Sequence, residues 1–291
     1  MKTEGRRQSE NVEDRRGQRM SGRFPGGRVG AGGGVGLIVV IVLALVLGVD
    51  PSQLLSSMEG GGTAVEAPAG PVRETPEEAK RSDFIRVVLA DTEDVWNTIF
   101  AASGQTYAEP TLVLYRDATQ SSCGVGQSAM GPFYCPVDQK VYLDLSFYDD
   151  MAGKLGAQGD FAFAYVVAHE VGHHVQTLLG TSAKVQDARR RVSEAEGNEL
   201  SVRQELQADC YAGVWAYHTE KQKQVLESGD IQEAMNAAAA VGDDRLQQRG
   251  QGYVMPESFT HGTSAQRARW FDRGLKSGDP NQCDTFGAAD L

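Results

Sequence analysis

The string Val167-Ala-His169-Glu170-Val-Gly-His173-His174 sets two imidazoles four residues apart, with a carboxylate directly after the first. On a helix, residues i and i+4 share a face, so His169 and His173 can aim at one ion. Glu170 projects to the side of that face, where it can reach a water held by the metal without binding the metal itself. Such a string arises by chance in roughly one chain in 200 of this composition, so it calls for a third ligand. Glu205 and Asp209 supply the material. They are again i and i+4, on the side that Leu206, Ala208 and Ala212 turn inward. Two carboxylates on the inner side of a helix are costly unless something cationic meets them. A single Zn²⁺ held by His169, His173 and Glu205, with Asp209 accepting a hydrogen bond from one of the histidines, answers that cost. Two histidines, a glutamate and an open fourth position make a catalytic zinc arrangement.

An acyl-transfer site of this kind also needs a donor for developing oxyanion charge. His261, in the turn Phe259-Thr-His-Gly262 that leads into a helix near Thr263, is the first candidate, with Tyr211 and Arg267 after it. A satisfied surface histidine is the competing reading of His261. His174 points about 100° away from His173 on the same helix, which puts it behind the ligands or in solvent. His218 falls at a helix end, and Asp243-Asp244 reads as a solvated helix-terminal pair.

These residues need elements to hold them. The segment carrying His169 and His173 reads as a helix from Asp160 to Gly180, and further helical patterns cover 199–217, 231–241 and 264–276. Asp230 with Glu233, and Thr263 with Gln266, have the spacing of capping boxes. Thr75-Pro-Glu-Glu78 is a helix start, followed by Phe84, Val87, Val88, Val95 and Ile99 at helical spacing. Residues 111–115 and 140–145 read as strands on either side of a Gly/Ser-rich stretch. The expected fold class is α+β: a mostly helical domain over 75–291 with a small β-sheet.

Ahead of that domain the chain changes character. Residues 1–28 carry eight basic and four acidic side chains, so the formal net charge of −11 divides into +4 here and −15 in the remainder. Val29 to Val49 is a run of 21 uncharged residues, long enough at ~1.5 Å per residue to cross a bilayer of ~30 Å. The 28-residue basic stretch and the lack of a nearby small-residue cleavage site favour a single transmembrane helix over a signal peptide. Residues 1–28 then form a basic cytoplasmic segment, 29–49 the anchor, 50–74 a flexible linker and 75–291 the folded domain. The basic flank places that domain on the periplasmic or extracellular side of the cell membrane. Oxidation of the four cysteines is expected there. The preferred pairing is Cys123–Cys135 with Cys210–Cys283, out of three open to four cysteines. The acidic balance excludes a general nucleic-acid partner.

Taken together, the strings resemble a bacterial family described as "putative neutral zinc metallopeptidase", within the wider gluzincin pattern of HExxH followed by ExxAD. The resemblance rests on Arg7-Gln-Ser-Glu-Asn-Val-Glu-Asp-Arg-Arg16, Gly131-Pro-Phe-Tyr-Cys-Pro136, His169-Glu-Val-Gly-His-His174, Glu205-Leu-Gln-Ala-Asp-Cys210 and Ser258-Phe-Thr-His-Gly262. It implies a zincin-like metallopeptidase domain with one Zn²⁺ on His169, His173 and Glu205 and the general base on Glu170. The expected activity is that of a membrane-anchored endopeptidase acting on peptide or protein substrates. The alternative is a non-catalytic, zinc-containing envelope scaffold or binding protein, which would need the ligands but not the base.

Overall fold

Aliphatic residues buried on both faces mark the strands at the centre of a sheet. In the computed structural model, which describes residues 1–18 and 72–291, four strands form that sheet in the order β1-β2-β6-β5. Strand β1 (Val12–Asp14) precedes helix α1 (Pro76–Ala102), and β2 (Thr111–Tyr115) follows it. A hairpin of β3 (Ala118–Ser121) and β4 (Gly124–Gln127) comes next, then β5 (Phe133–Cys135) and β6 (Lys140–Asp144). β2 runs parallel to both β1 and β6, with Leu112 opposite Val12 on one side and Val141 on the other. β5 closes the other edge antiparallel to β6. The apolar residues of β2 and β6 account for their recognition in sequence, although β6 ends at Asp144, one residue short of the expected end. The Gly/Ser-rich stretch between them proves to hold three short strands.

The short helix α2 (Phe147–Asp150) leads into a wider turn, and the helical layer follows. It comprises α3 (Asp160–Leu178), α4 (Thr181–Arg189), α5 (Glu194–Lys223), α6 (Asp230–Ala240), α7 (Asp243–Gln251) and α8 (Ser264–Ser277). Capping boxes start α1 at Thr75, α5 at Ser193 and α8 at Thr263. The Ser193 box explains why α5 begins ahead of the expected 199. The box expected at Asp230 does not form. Gly229 precedes α6, the Asp230 carboxylate accepts the Glu227 N–H, and Glu233 accepts the Phe161 N–H. Glycine lets α5 and α8 approach closely: a Cβ on Gly274 would lie 1.9 Å from the Cys210 carbonyl oxygen, and one on Gly213 would lie 2.1 Å from that of Phe271. The disulfides are Cys123–Cys135 and Cys210–Cys283, the preferred pairing.

One expectation needs correcting. Residues 1–28 were set apart from the domain, yet residues 1–18 are built into it. Met1 is buried, β1 is a strand of the sheet, and Arg6, Arg7 and Arg16 pair with Asp91, Glu93 and Glu74. Carboxylates on the domain answer the basic residues that made this segment look like a solvated flank. The expected anchor, 29–49, and residues 50–71 of the expected linker lie outside the described residues. Among those described, no helix is long and apolar enough to cross a membrane.

Candidate metal centre

Helix α3 brings His169, Glu170 and His173, and α5 brings Glu205 and Asp209. Gly172 sets the approach of the two helices, since a Cβ there would stand 3.0 Å from the Ala208 carbonyl oxygen. Across this contact His169 Nε2 lies 3.2 Å from Glu205 Oε2, and His173 Nε2 lies 3.4 Å from Glu205 Oε1. The three ligand atoms all fall within 4.8 Å of one another. Zinc bonds of about 2.0–2.1 Å in a tetrahedron put neighbouring donors about 3.4 Å apart. Each imidazole nitrogen already stands at about that spacing from a Glu205 oxygen, and all three donors converge within 4.8 Å, so the residues fit a zinc ion.

Each imidazole is held from behind. His169 donates Nδ1–H to Asp209 Oδ1 at 2.9 Å, and His173 donates Nδ1–H to Gln176 Oε1 at 2.9 Å. Both bonds leave the Nε2 lone pairs facing the centre. Gln176 in turn donates to the Gln204 carbonyl at 2.7 Å and to Gln207 at 3.1 Å, fixing it against α5. Asp209 is fully buried and also accepts from Tyr165 Oη and from two nitrogens of Arg267, at 2.8 and 2.9 Å. Gln176 and Tyr165 were not singled out as site residues. The available signal was a polar side chain one turn after a ligand, or one turn before it, on an otherwise apolar helix.

Burial works against charge on His169, but Asp209 and Glu205 outweigh it and raise its pKa to about 9. His173 is raised in the same way, with Glu205 overcoming burial. Burial would raise the Glu205 carboxyl, yet the two histidines hold it well below the usual carboxylate range. The carboxylates surround the two imidazoles with negative charge, an environment that favours a proton or a metal cation on their nitrogens. Glu170 is nearly buried beside these donors and makes no hydrogen bond or ion pair among the described residues.

The other candidates separate clearly. His261 lies on the loop ahead of α8, where a Cβ on neighbouring Gly262 would meet Val202 and Leu206 of α5 at 3.1 and 3.4 Å. That places the loop beside Glu205. Asp243 orients the ring, accepting Nδ1–H at 3.1 Å, while its Oδ2 accepts the N–H groups of Thr260, His261 and Gly262 at 2.7, 2.6 and 3.0 Å. Asp243 is therefore a buried organiser of this loop and not a solvated helix end. Arg267 is occupied by Asp209, and Tyr211 packs edge-on against Trp96 in the core, so neither offers a donor to the centre. His174 is fully buried, donating Nε2–H to the Ala108 carbonyl and accepting from Tyr134 Oη. His218 donates to the Gly278 carbonyl.

Comparison with known proteins bears directly on this geometry. A family described as "Putative neutral zinc metallopeptidase" matches residues 1–286. The chain belongs to this family. It is 54% identical over 292 residues to "Uncharacterized protein YpfJ" of Escherichia coli (strain K12), covering 99% of each chain. It is 42% identical over 259 residues to "Uncharacterized protein Rv2575" of Mycobacterium tuberculosis (strain ATCC 25618 / H37Rv), covering 85% of this chain and 86% of the relative. No solved structure matches. The family match takes in the described N-terminal strand as well as the metal helices, so both belong to one family unit.

Proposed function

We propose that the chain is a zinc-dependent endopeptidase with one Zn²⁺ on His169, His173 and Glu205. The observation that carries this reading is Glu170, an unpaired carboxylate nearly buried beside three converging ligands. A centre that only held metal would have no use for it. Zinc bound there supplies Lewis acidity and lowers the pKa of a bound water to about 7. Glu170 takes the proton of the attacking water and passes it to the leaving amine. His261, held by Asp243, donates to the developing oxyanion. Peptide or protein substrates follow from the family, and the two disulfides support an oxidising compartment for the domain.

Zinc content and casein cleavage, measured together on the full chain and its variants, test the proposal. The native chain is expected to hold one zinc and to cleave. Glu170→Gln keeps the zinc and loses ~10²-fold or more in kcat. His261→Ala keeps the zinc and loses on the order of 10²-fold. Glu205→Ala loses the zinc. Full zinc in Glu205→Ala would overturn the ligand assignment. Bound zinc without cleavage of any peptide in a broad library would establish the scaffold alternative.

A further inference from the structure

The strand at the sheet edge bears on where the N-terminal segment lies. The Arg116 guanidinium donates to the Arg16 carbonyl at 3.3 Å and to the Arg73 carbonyl at 2.7 Å, and Arg16 pairs with Glu74 at 3.0 Å. The chain therefore leaves the described fold and re-enters it at one place, gripped by one side chain. Upstream, the Leu112 N–H donates to the Asn11 carbonyl at 2.9 Å and the Arg15 N–H to that of Leu114 at 2.7 Å. Asn11 Nδ2 and the Ser9 hydroxyl both donate to buried Glu93, whose cationic partner is Arg7 at 2.8 Å. Removing this segment would leave a buried carboxylate without a cation and expose the edge of β2.

This placement conflicts with a chain that crosses a membrane once between its first strand and its domain. Cytoplasmic retention of the N-terminal segment would depend on the eight basic residues in 1–28. Four of them are answered by carboxylates: Arg6 by Asp91, Arg7 by Glu93 and Asp94, Arg15 by Glu13, and Arg16 by Asp14 and Glu74.

We propose that residues 1–18 lie on the same side of any membrane as the domain over 72–291, because the strand they form is part of its sheet. The inference rests on strand pairing and buried charge, and does not depend on the peptidase reading.

The test places one cysteine at a time in the full chain, at exposed Gln8 or exposed Lys184. All four native cysteines are in disulfides, so the introduced thiol is the one that reacts. Bacterial spheroplasts are treated with a membrane-impermeant maleimide before and after lysis. Gln8→Cys and Lys184→Cys are expected to label to equal fractions in intact spheroplasts, whether both react or both are protected, and both label after lysis. Labelling of one in intact spheroplasts, with the other reacting only after lysis, would place the segments on opposite sides and overturn the proposal.

Discussion

Asp209 shows how much of the candidate metal centre is decided one step behind the converging side chains. Its two oxygens serve His169, Tyr165 and Arg267 at once, and it is fully buried. Burial alone would raise its pKa, but Arg267 and His169 hold it below the usual aspartate range, so it remains a charged acceptor for the His169 Nδ1–H. Asp209→Asn keeps the shape and removes the charge, leaving Arg267 buried against a neutral amide. Zinc affinity is expected to fall by about 10–100-fold, the usual cost of losing such a partner. Competition with a chelator of known affinity measures it, and affinity equal to the native chain would show that Asp209 only fills space. The convergence of His169, His173, Glu205 and Asp209 was legible because i, i+4 pairs on helices have a fixed geometry. Gln176 was less so, because its contact with Gln204 and Gln207 depends on how two helices meet, which spacing along one helix does not specify.

At the scale of elements, sequence was most legible where hydrophobic period and caps agree. Strand 111–115 and the helix begun by the Thr75 capping box are seen as expected. Strands β3, β4 and β5 were missed because they are only three or four residues long and partly exposed, too short for an alternation to show. β1 was missed for an electrostatic reason: Asp91 and Glu93, which pair with Arg6 and Arg7 just ahead of it, sit on α1, and only tertiary packing shows that they are buried. Glu13 on this strand offers a direct test. Its hydrogen bond to Arg15, against the opposing effect of burial and with help from Lys140 of β6, lowers its pKa to about 2, well below the ordinary glutamate range. A depressed carboxyl pKa stabilises the folded form fully above the unfolded pKa, and that stabilisation is lost as pH falls through about 2. Amide exchange in β1 is therefore expected to quicken as pH falls from about 4.5 towards 2, relative to exchange in α3, after correction for the intrinsic pH dependence. Glu13→Gln should flatten that relative change. An unaltered pH profile in the variant would mean that Glu13 does not hold the strand.

Across the whole molecule, the candidate metal centre is assembled from separate helices and braced by the C-terminal tail. Cys283 bonds to Cys210, the residue after Asp209, across a separation of 73 residues. The tail is also fastened by hydrogen bonds: Gln207 donates to the Cys283 carbonyl at 3.0 Å, Thr285 Oγ1 to the Arg203 carbonyl at 2.6 Å, and Arg203 to the Thr285 carbonyl at 2.5 Å. All of these fall on the stretch of α5 that carries Glu205 and Asp209, so the tail braces the back of the metal helix while contributing no ligand. A cross-link over a loop of this length restricts the unfolded chain, and its loss typically costs about 2–4 kcal/mol. Replacing both cysteines by serine should lower the urea midpoint by a corresponding amount, with the slope of the transition near its native value. Zinc content should stay at the native level, because the hydrogen bonds still seat the tail and every ligand lies on α3 or α5. Loss of zinc from a variant that still unfolds cooperatively would show that the disulfide positions Glu205 as well as stabilising the fold. An unchanged midpoint would show that the hydrogen bonds alone hold the tail.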